Sequence, residues 1–222
     1  RLTEDRAREI APAVVSPAAS VSERMGYQGS LTPDAETLRE LQLAHLFAVP
    51  FENLSIHWQQ PIVLSDEALF EKMVRQRRAG FCYELNGLFA ALLRDLGFKV
   101  TMLSAEVANA AGEFGPPFDH MTLMVTLEDR WLADVGFGDS FREPLLLDER
   151  EPQIQGDEAF SIEETENYLM MSKRSEKGDW QPQYRFTLEP YGFADYEEMC
   201  RYHQTSPQSH FRQKRLSSLC TI

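Results

Sequence analysis

The sequence is short of three things, and each shortage removes a class of function. Cysteine comes first: 222 residues hold only Cys82, Cys200 and Cys220. An odd, sparse set makes a poor disulfide framework, and none of the three has the paired spacing of a zinc site. No metal is therefore expected, and a reducing, cytoplasmic setting is, in which a thiol stays free for chemistry. Positive charge comes second, with 22 Lys and Arg against 35 Asp and Glu and a formal net charge of −13. Such a field repels phosphate backbones and anionic lipid surfaces, so neither nucleic acid nor a membrane is an expected partner. Third, no apolar run approaches the roughly 20 residues that cross a bilayer. The charged start, Arg1 to Ile10, also lacks the apolar core of a signal peptide.

What remains is an ordinary globular composition, 43% hydrophobic and 26% charged, in a chain long enough for one large domain or two small ones. The first half reads as helices. Ala35 to Phe47 places Leu38, Leu41, Leu43, Leu46 and Phe47 near one face, and Val49-Pro50 stops it. Ser65 ahead of Asp66-Glu67 caps a second helix with Leu69, Phe70, Met73 and Val74. A third runs from Cys82 to Leu96, with Gly97 where a left-handed cap is wanted. After Gly97 the texture changes. Phe98–Val107, His120–Leu127 and Trp131–Val135 are strand-like, as are Tyr168–Ser172 and Tyr184–Leu188, before Ala194–His203 turns helical again. Helices first and strands second predict an α+β fold rather than alternating units on a parallel sheet.

The segment Arg78-Ala79-Gly80-Phe81-Cys82-Tyr83-Glu84-Leu85-Asn86 carries the chemistry. Cys82 falls in the first turn of its helix, where unpaired amides and the positive dipole end favour a thiolate, and Arg75, Arg77 and Arg78 push the same way. A thiolate is a nucleophile. A small buried, inert cysteine is an equally good reading of this segment alone, so the decision rests on its partners.

A cysteine nucleophile wants a base, and the base wants an orienting carboxylate. Of five histidines, His120 opens an apolar strand, and Asp134 lies in the next, flanked by Trp131, Leu132, Ala133 and Val135. A carboxylate in such company needs a partner, because an unpaired buried charge is costly. A three-residue loop of Leu127, Glu128 and Asp129 would set Asp134 opposite Thr122 and diagonal to His120; a two-residue loop would put the pair on opposite faces. No Asn-Gly signature decides between them.

These residues resemble the arylamine N-acetyltransferases. The matching stretches are Arg78 to Asn86, His120 with its strand, and Asp134-Val135-Gly136-Phe137-Gly138. Arg24-Met25-Gly26-Tyr27, Val49-Pro50-Phe51-Glu52-Asn53-Leu54 and Ser206-Pro207-Gln208-Ser209-His210-Phe211 match as well. Ala79 departs from the family, which commonly has glycine there.

The resemblance implies a helical bundle over 1–97 that carries the cysteine. It further implies an antiparallel β-barrel-like domain over 98–190 with the histidine and aspartate, and over 191–222 the start of an α/β lid, truncated at Ile222. It implies ping-pong transfer from acetyl-CoA, a cosubstrate rather than a bound cofactor, through an acetyl-cysteine to an aromatic amine, hydrazine or hydroxylamine. On that reading Cys82, His120 and Asp134 are catalytic. Gly136, Phe137, Gly138 and Phe211 border the CoA site, with exposed amides at the two glycines suited to a pyrophosphate. Phe51, Val107 and Phe137 line the acceptor pocket. Two rivals keep the same residues: a cysteine peptidase or transglutaminase-like hydrolase, in which water takes the acyl group, and a shortened member with a damaged site. The sequence leaves oligomeric state open.

Overall fold

A computed structural model describes residues 16–221; the charged segment Arg1–Ile10 lies outside the described residues. Helices come first. α1 (Pro17–Arg24) starts behind Ser16, whose hydroxyl accepts from the Ala19 amide. α2 (Ala35–Ala48) starts behind Asp34, whose carboxylate accepts from Thr37 N at 2.8 Å, and it ends at Val49-Pro50. A two-residue strand β1 (Phe51–Glu52) and a single turn α3 (Leu54–His57) follow. Ser65 caps α4 (Asp66–Phe70) as the sequence predicts. That helix then widens into a π-turn over Glu71–Arg75, where one continuous α-helix is expected. Gln76 N donates to Glu71 O at 3.0 Å in that wide turn, and the buried Arg24 donates from Nε to Met73 O at 3.0 Å, a carbonyl in its last turn.

α5 (Cys82–Asp95) is almost wholly buried from Cys82 through Ala90 and again at Leu92 and Leu93. Each large apolar side chain there contributes roughly 1.5–3 kcal/mol on burial. Gly97, at φ +93°, closes it with the backbone angle that glycine adopts freely.

The sheet follows. β2 (Lys99–Val107), β3 (His120–Thr126), β4 (Arg130–Ala133) and β5 (Leu145–Leu146) form one run. β6 (Gln153–Gln155), β7 (Glu158–Glu164), β8 (Leu169–Ser175) and β9 (Gln181–Phe186) form another. The spatial order is β5-β4-β3-β2-β9-β8-β7-β6, antiparallel throughout. The two edges approach each other and are stitched by side chains. Gln153 bonds both the N–H and the C=O of Leu146, and Gln155 bonds the backbone of Arg142 and Glu143. The result is a nearly closed, barrel-like sheet whose edges are covered.

Two cores result. Met121, Leu123, Val125 and Ala133 face the helices, whereas Leu103, Leu132, Phe160, Met171 and Tyr184 fill the sheet's inner side. The last elements, α6 (Phe193–Thr205), α7 (His210–Gln213) and β10 (Ser217–Ser218), return to the helical side, where β10 pairs with β1. No helix among the described residues is long and apolar enough to cross a membrane.

Candidate active site

Cys82 owes its position to the turn that precedes it. Glu52 N donates to Gly80 O at 2.8 Å, which lays the Gly80 backbone beside β1. A Cβ on Gly80 would stand 2.7 Å from that of Glu84, so only glycine lets the chain pass. The Glu84 carboxylate caps the helix by accepting from Phe81 N and is itself held by Lys72 Nζ at 2.7 Å. Ala79 has no left-handed backbone, and its departure from the expected glycine is structurally mild.

The hairpin takes the three-residue loop. Leu127 N bonds Asp129 O, and Leu123 lies opposite Ala133; one step further sets Asp134 beside Thr122 and diagonal to His120. His120 Nε2 is 2.6 Å from Asp134 Oδ2, and both side chains are buried. Asp134 ends the strand earlier than its residue pattern predicts. Its own amide goes to Gln42 Oε1 and that of Val135 to Asn86 Oδ1, so both leave the strand ladder.

Four donors reach the Asp134 carboxylate: Asn86 Nδ2 at 2.9 Å and Gly136 N at 2.9 Å on one oxygen, His120 Nε2 at 2.6 Å and the Tyr184 hydroxyl at 3.2 Å on the other. Burial alone would push this carboxyl up. The charge of His120 and these hydrogen bonds overrule it and hold the group below the ordinary carboxylate range.

Asn86 lies one turn after Cys82 and also donates to Met121 O at 2.7 Å, binding the cysteine's helix to the histidine's strand. Cys82 itself is 3% exposed. Its thiol is pushed up by burial first and then by the carboxylates of Asp119 and Asp134, against a favourable Met121 amide. These influences oppose the thiolate that the helix position favours. The nearby arginines lend little, since Arg78 is spent on Glu52 and Ser55 and Arg75 on Glu71.

Cys82 and His120 open onto one cavity of about 850 Å3, which Phe51, Val107, Gly136, Phe137, Gly138 and Phe211 also line. Asp134 stands behind the histidine, and Cys200 and Cys220 lie elsewhere. Gly136 is required by close approach, because a Cβ there would meet Cys82 Cα at 2.8 Å and Cys82 O at 2.9 Å. Its amide is spent on Asp134, so it is not free for an anion, contrary to the expectation for this loop. Gly138 is exposed, at φ +99°. In chemical terms the arrangement combines a thiol, an imidazole opening onto the same cavity, and a buried carboxylate fixing the imidazole's far nitrogen.

Comparison with known proteins points the same way. A family model described as N-acetyltransferase matches residues 34–222. Arylamine N-acetyltransferase 2 of Mus musculus is 36% identical over 220 residues, covering 90% of this chain and 76% of that protein. The chain belongs to the arylamine N-acetyltransferase family. Membership carries the enzyme class with it, an acyltransferase.

The arylamine N-acetyltransferase / N-hydroxyarylamine O-acetyltransferase of Salmonella typhimurium is 39% identical over 183 residues, 81% of this chain and 64% of that protein. The solved structure of the Salmonella typhimurium enzyme superposes with a TM-score of 0.86 at 34% identity, over 93% of this chain and 76% of that one. A Mycobacterium marinum arylamine N-acetyltransferase solved in complex with CoA gives 0.84 at 30% identity, over 91% and 76%.

Within this family frame, Asn86, Tyr184 and Gln42 are the site residues that sequence reasoning missed. Asn86 carried a signal, as a polar residue inside an otherwise apolar helix face. Tyr184 and Gln42 carried none, because they reach Asp134 from 50 and 92 residues away.

Proposed function

We propose that the chain transfers the acetyl group of acetyl-CoA to small aromatic amines, hydrazines or hydroxylamines by a ping-pong route through acetyl-Cys82. The observation that carries the reading is the buried 2.6 Å contact of His120 Nε2 with Asp134, beside the cavity that holds Cys82. With Nε2 engaged by the carboxylate, the basic nitrogen is Nδ1.

In the first half-reaction the Cys82 thiol gives its proton to His120 as the sulfur attacks the thioester carbonyl. The tetrahedral adduct collapses, the bond to the CoA sulfur breaks, and that sulfur leaves with the proton returned by His120. In the second, the amine attacks the acetyl-cysteine carbonyl and loses a proton to His120, and the Cys82 sulfur departs and takes it back. Asp134 stabilises the imidazolium formed in each half and fixes its tautomer.

Phe51, Val107 and Phe137 are the acceptor walls on this reading, and Gly136, Phe137, Gly138 and Phe211 border CoA. The CoA complex of the Mycobacterium marinum relative supports the cosubstrate. We further read residues 1–97, 98–190 and 191–222 as three units, which contribute respectively the cysteine, the histidine–aspartate pair and Phe211.

Intact mass after incubation with acetyl-CoA tests the reading. One added acetyl group is expected, absent from Cys82→Ala and discharged by an arylamine. No adduct, or an adduct that Cys82→Ala retains, overturns it; discharge by water as fast as by amine favours a hydrolase.

A further inference from the structure

Asp119 precedes His120 in the cavity wall, and its carboxylate is left without a donor. The side chain is 25% exposed, and no described residue donates a hydrogen bond to it; the nearest group able to carry positive charge is His203 Nε2, at 3.5 Å, beyond hydrogen-bond reach. His203 is equally unfinished. Its side chain is 5% exposed and Nε2 has no partner.

The other ring nitrogen, Nδ1, lies 3.1 Å from Ser209 Oγ, and that oxygen already accepts from Phe211 N. The remaining ring nitrogen, Nε2, faces Asp119.

The backbone beside this pair is strained. Phe118 takes φ +63°, a region that a bulky side chain enters at a cost. It is held there by the Tyr83 hydroxyl on its carbonyl and by Ser104 Oγ on its amide at 2.7 Å. The fold thus holds Asp119 into a cavity that, among the described residues, is lined by one further carboxylate, Glu113, and by no Lys or Arg. The charge is felt at the reacting atom, since after burial Asp119 is the first cause pushing the Cys82 thiol up, ahead of Asp134.

We propose that Asp119, with His203 behind it, selects the acceptor: the cavity takes amines that bring positive charge or extra N–H donors and turns away aromatic amines that carry a carboxylate. The inference deepens the acetyl-transfer reading and rests on it. It is compatible with acetyl-CoA, whose inner arm is neutral and whose phosphates are remote from the thioester. In a ping-pong order CoA departs before the acceptor enters, so the acceptor's own charge meets Asp119.

The test uses three acceptors of similar size and shape that differ in charge: 4-aminobenzamidine, 4-aminobenzamide and 4-aminobenzoate. Acetyl-enzyme is formed with acetyl-CoA, freed of CoA and mixed with each amine, and its discharge is followed by intact mass. The expected order is amidine, amide, benzoate, with the amide faster than the benzoate by about tenfold or more, as for a like-charge contact in a partly desolvated site. Asp119→Asn is expected to bring the amidine-to-benzoate ratio within about threefold. A wild-type enzyme that the benzoate discharges as fast as the amide overturns the proposal, as does an undiminished ratio in Asp119→Asn. The wild-type ranking decides even where the variant fails to fold. Acetyl-enzyme that forms without charge preference removes this inference alone, whereas no acetyl-enzyme at all removes the acetyl-transfer reading with it.

Discussion

At the residue scale, the thiol needs an acceptor for its proton, and the imidazole on the same cavity is the candidate. Burial, Asp119 and Asp134 all oppose a thiolate at Cys82. A proton moved from sulfur to His120 meets a carboxylate already held ionised by Asn86, Gly136 and Tyr184. Removing the imidazole leaves the thiol with only the Met121 amide to set against burial and the two carboxylates. His120→Asn is expected to move the pH midpoint of Cys82 alkylation upward by about one unit or more relative to wild type. An unchanged midpoint would show that the helix terminus alone sets the thiol.

At the element scale, what was legible in the sequence is what short-range pattern controls. The cap at Ser65 and the stops at Val49-Pro50 and Gly97 are local signals, and each helix starts or ends where they stand. The hairpin was half legible. The residues of β3 and β4 announced strands, but the loop chemistry left two registers, and the three-residue loop was selected by long-range packing that puts Met121, Leu123 and Val125 against the helices and turns His120 to the other side. The early end of β4 was not legible, because the side chains that take the Asp134 and Val135 amides, Gln42 and Asn86, come from α2 and α5. Closure of the sheet was hidden for the same reason, being made by glutamine side chains acting as a strand's backbone would.

At the scale of the whole molecule, the helical core carries an acid-sensitive element apart from the cavity. The His45 ring of α2 is fully buried, packs edge-on to Phe89 at 5.6 Å, and has no hydrogen-bond partner at either nitrogen. Burial, and after it Arg24, hold its pKa down to about 3. The unfolded chain takes up that proton near pH 6.5. Between about pH 6.5 and about pH 3 the unfolded state thus binds more protons, so the stability present above that window is lost as pH falls through it. Going from about pH 7 to about pH 5, the wild-type chain is expected to lose about 2 kcal/mol of unfolding free energy through this group. Urea titrations at the two pH values check it: His45→Leu is expected to lose correspondingly less, and an equal loss in both proteins would remove His45 as the cause.

The central claim is that Asp134 and His120 make Cys82 a nucleophile towards acetyl-CoA, and the rate of acetyl-Cys82 formation in a single turnover of Asp134→Asn tests it most directly. With the imidazole tautomer no longer fixed by a carboxylate, that rate is expected to fall by roughly a thousandfold or more, in a protein whose circular dichroism matches wild type. A folded variant acetylated within about threefold of the wild-type rate would contradict the account, since so small a change is far below what loss of an orienting carboxylate produces.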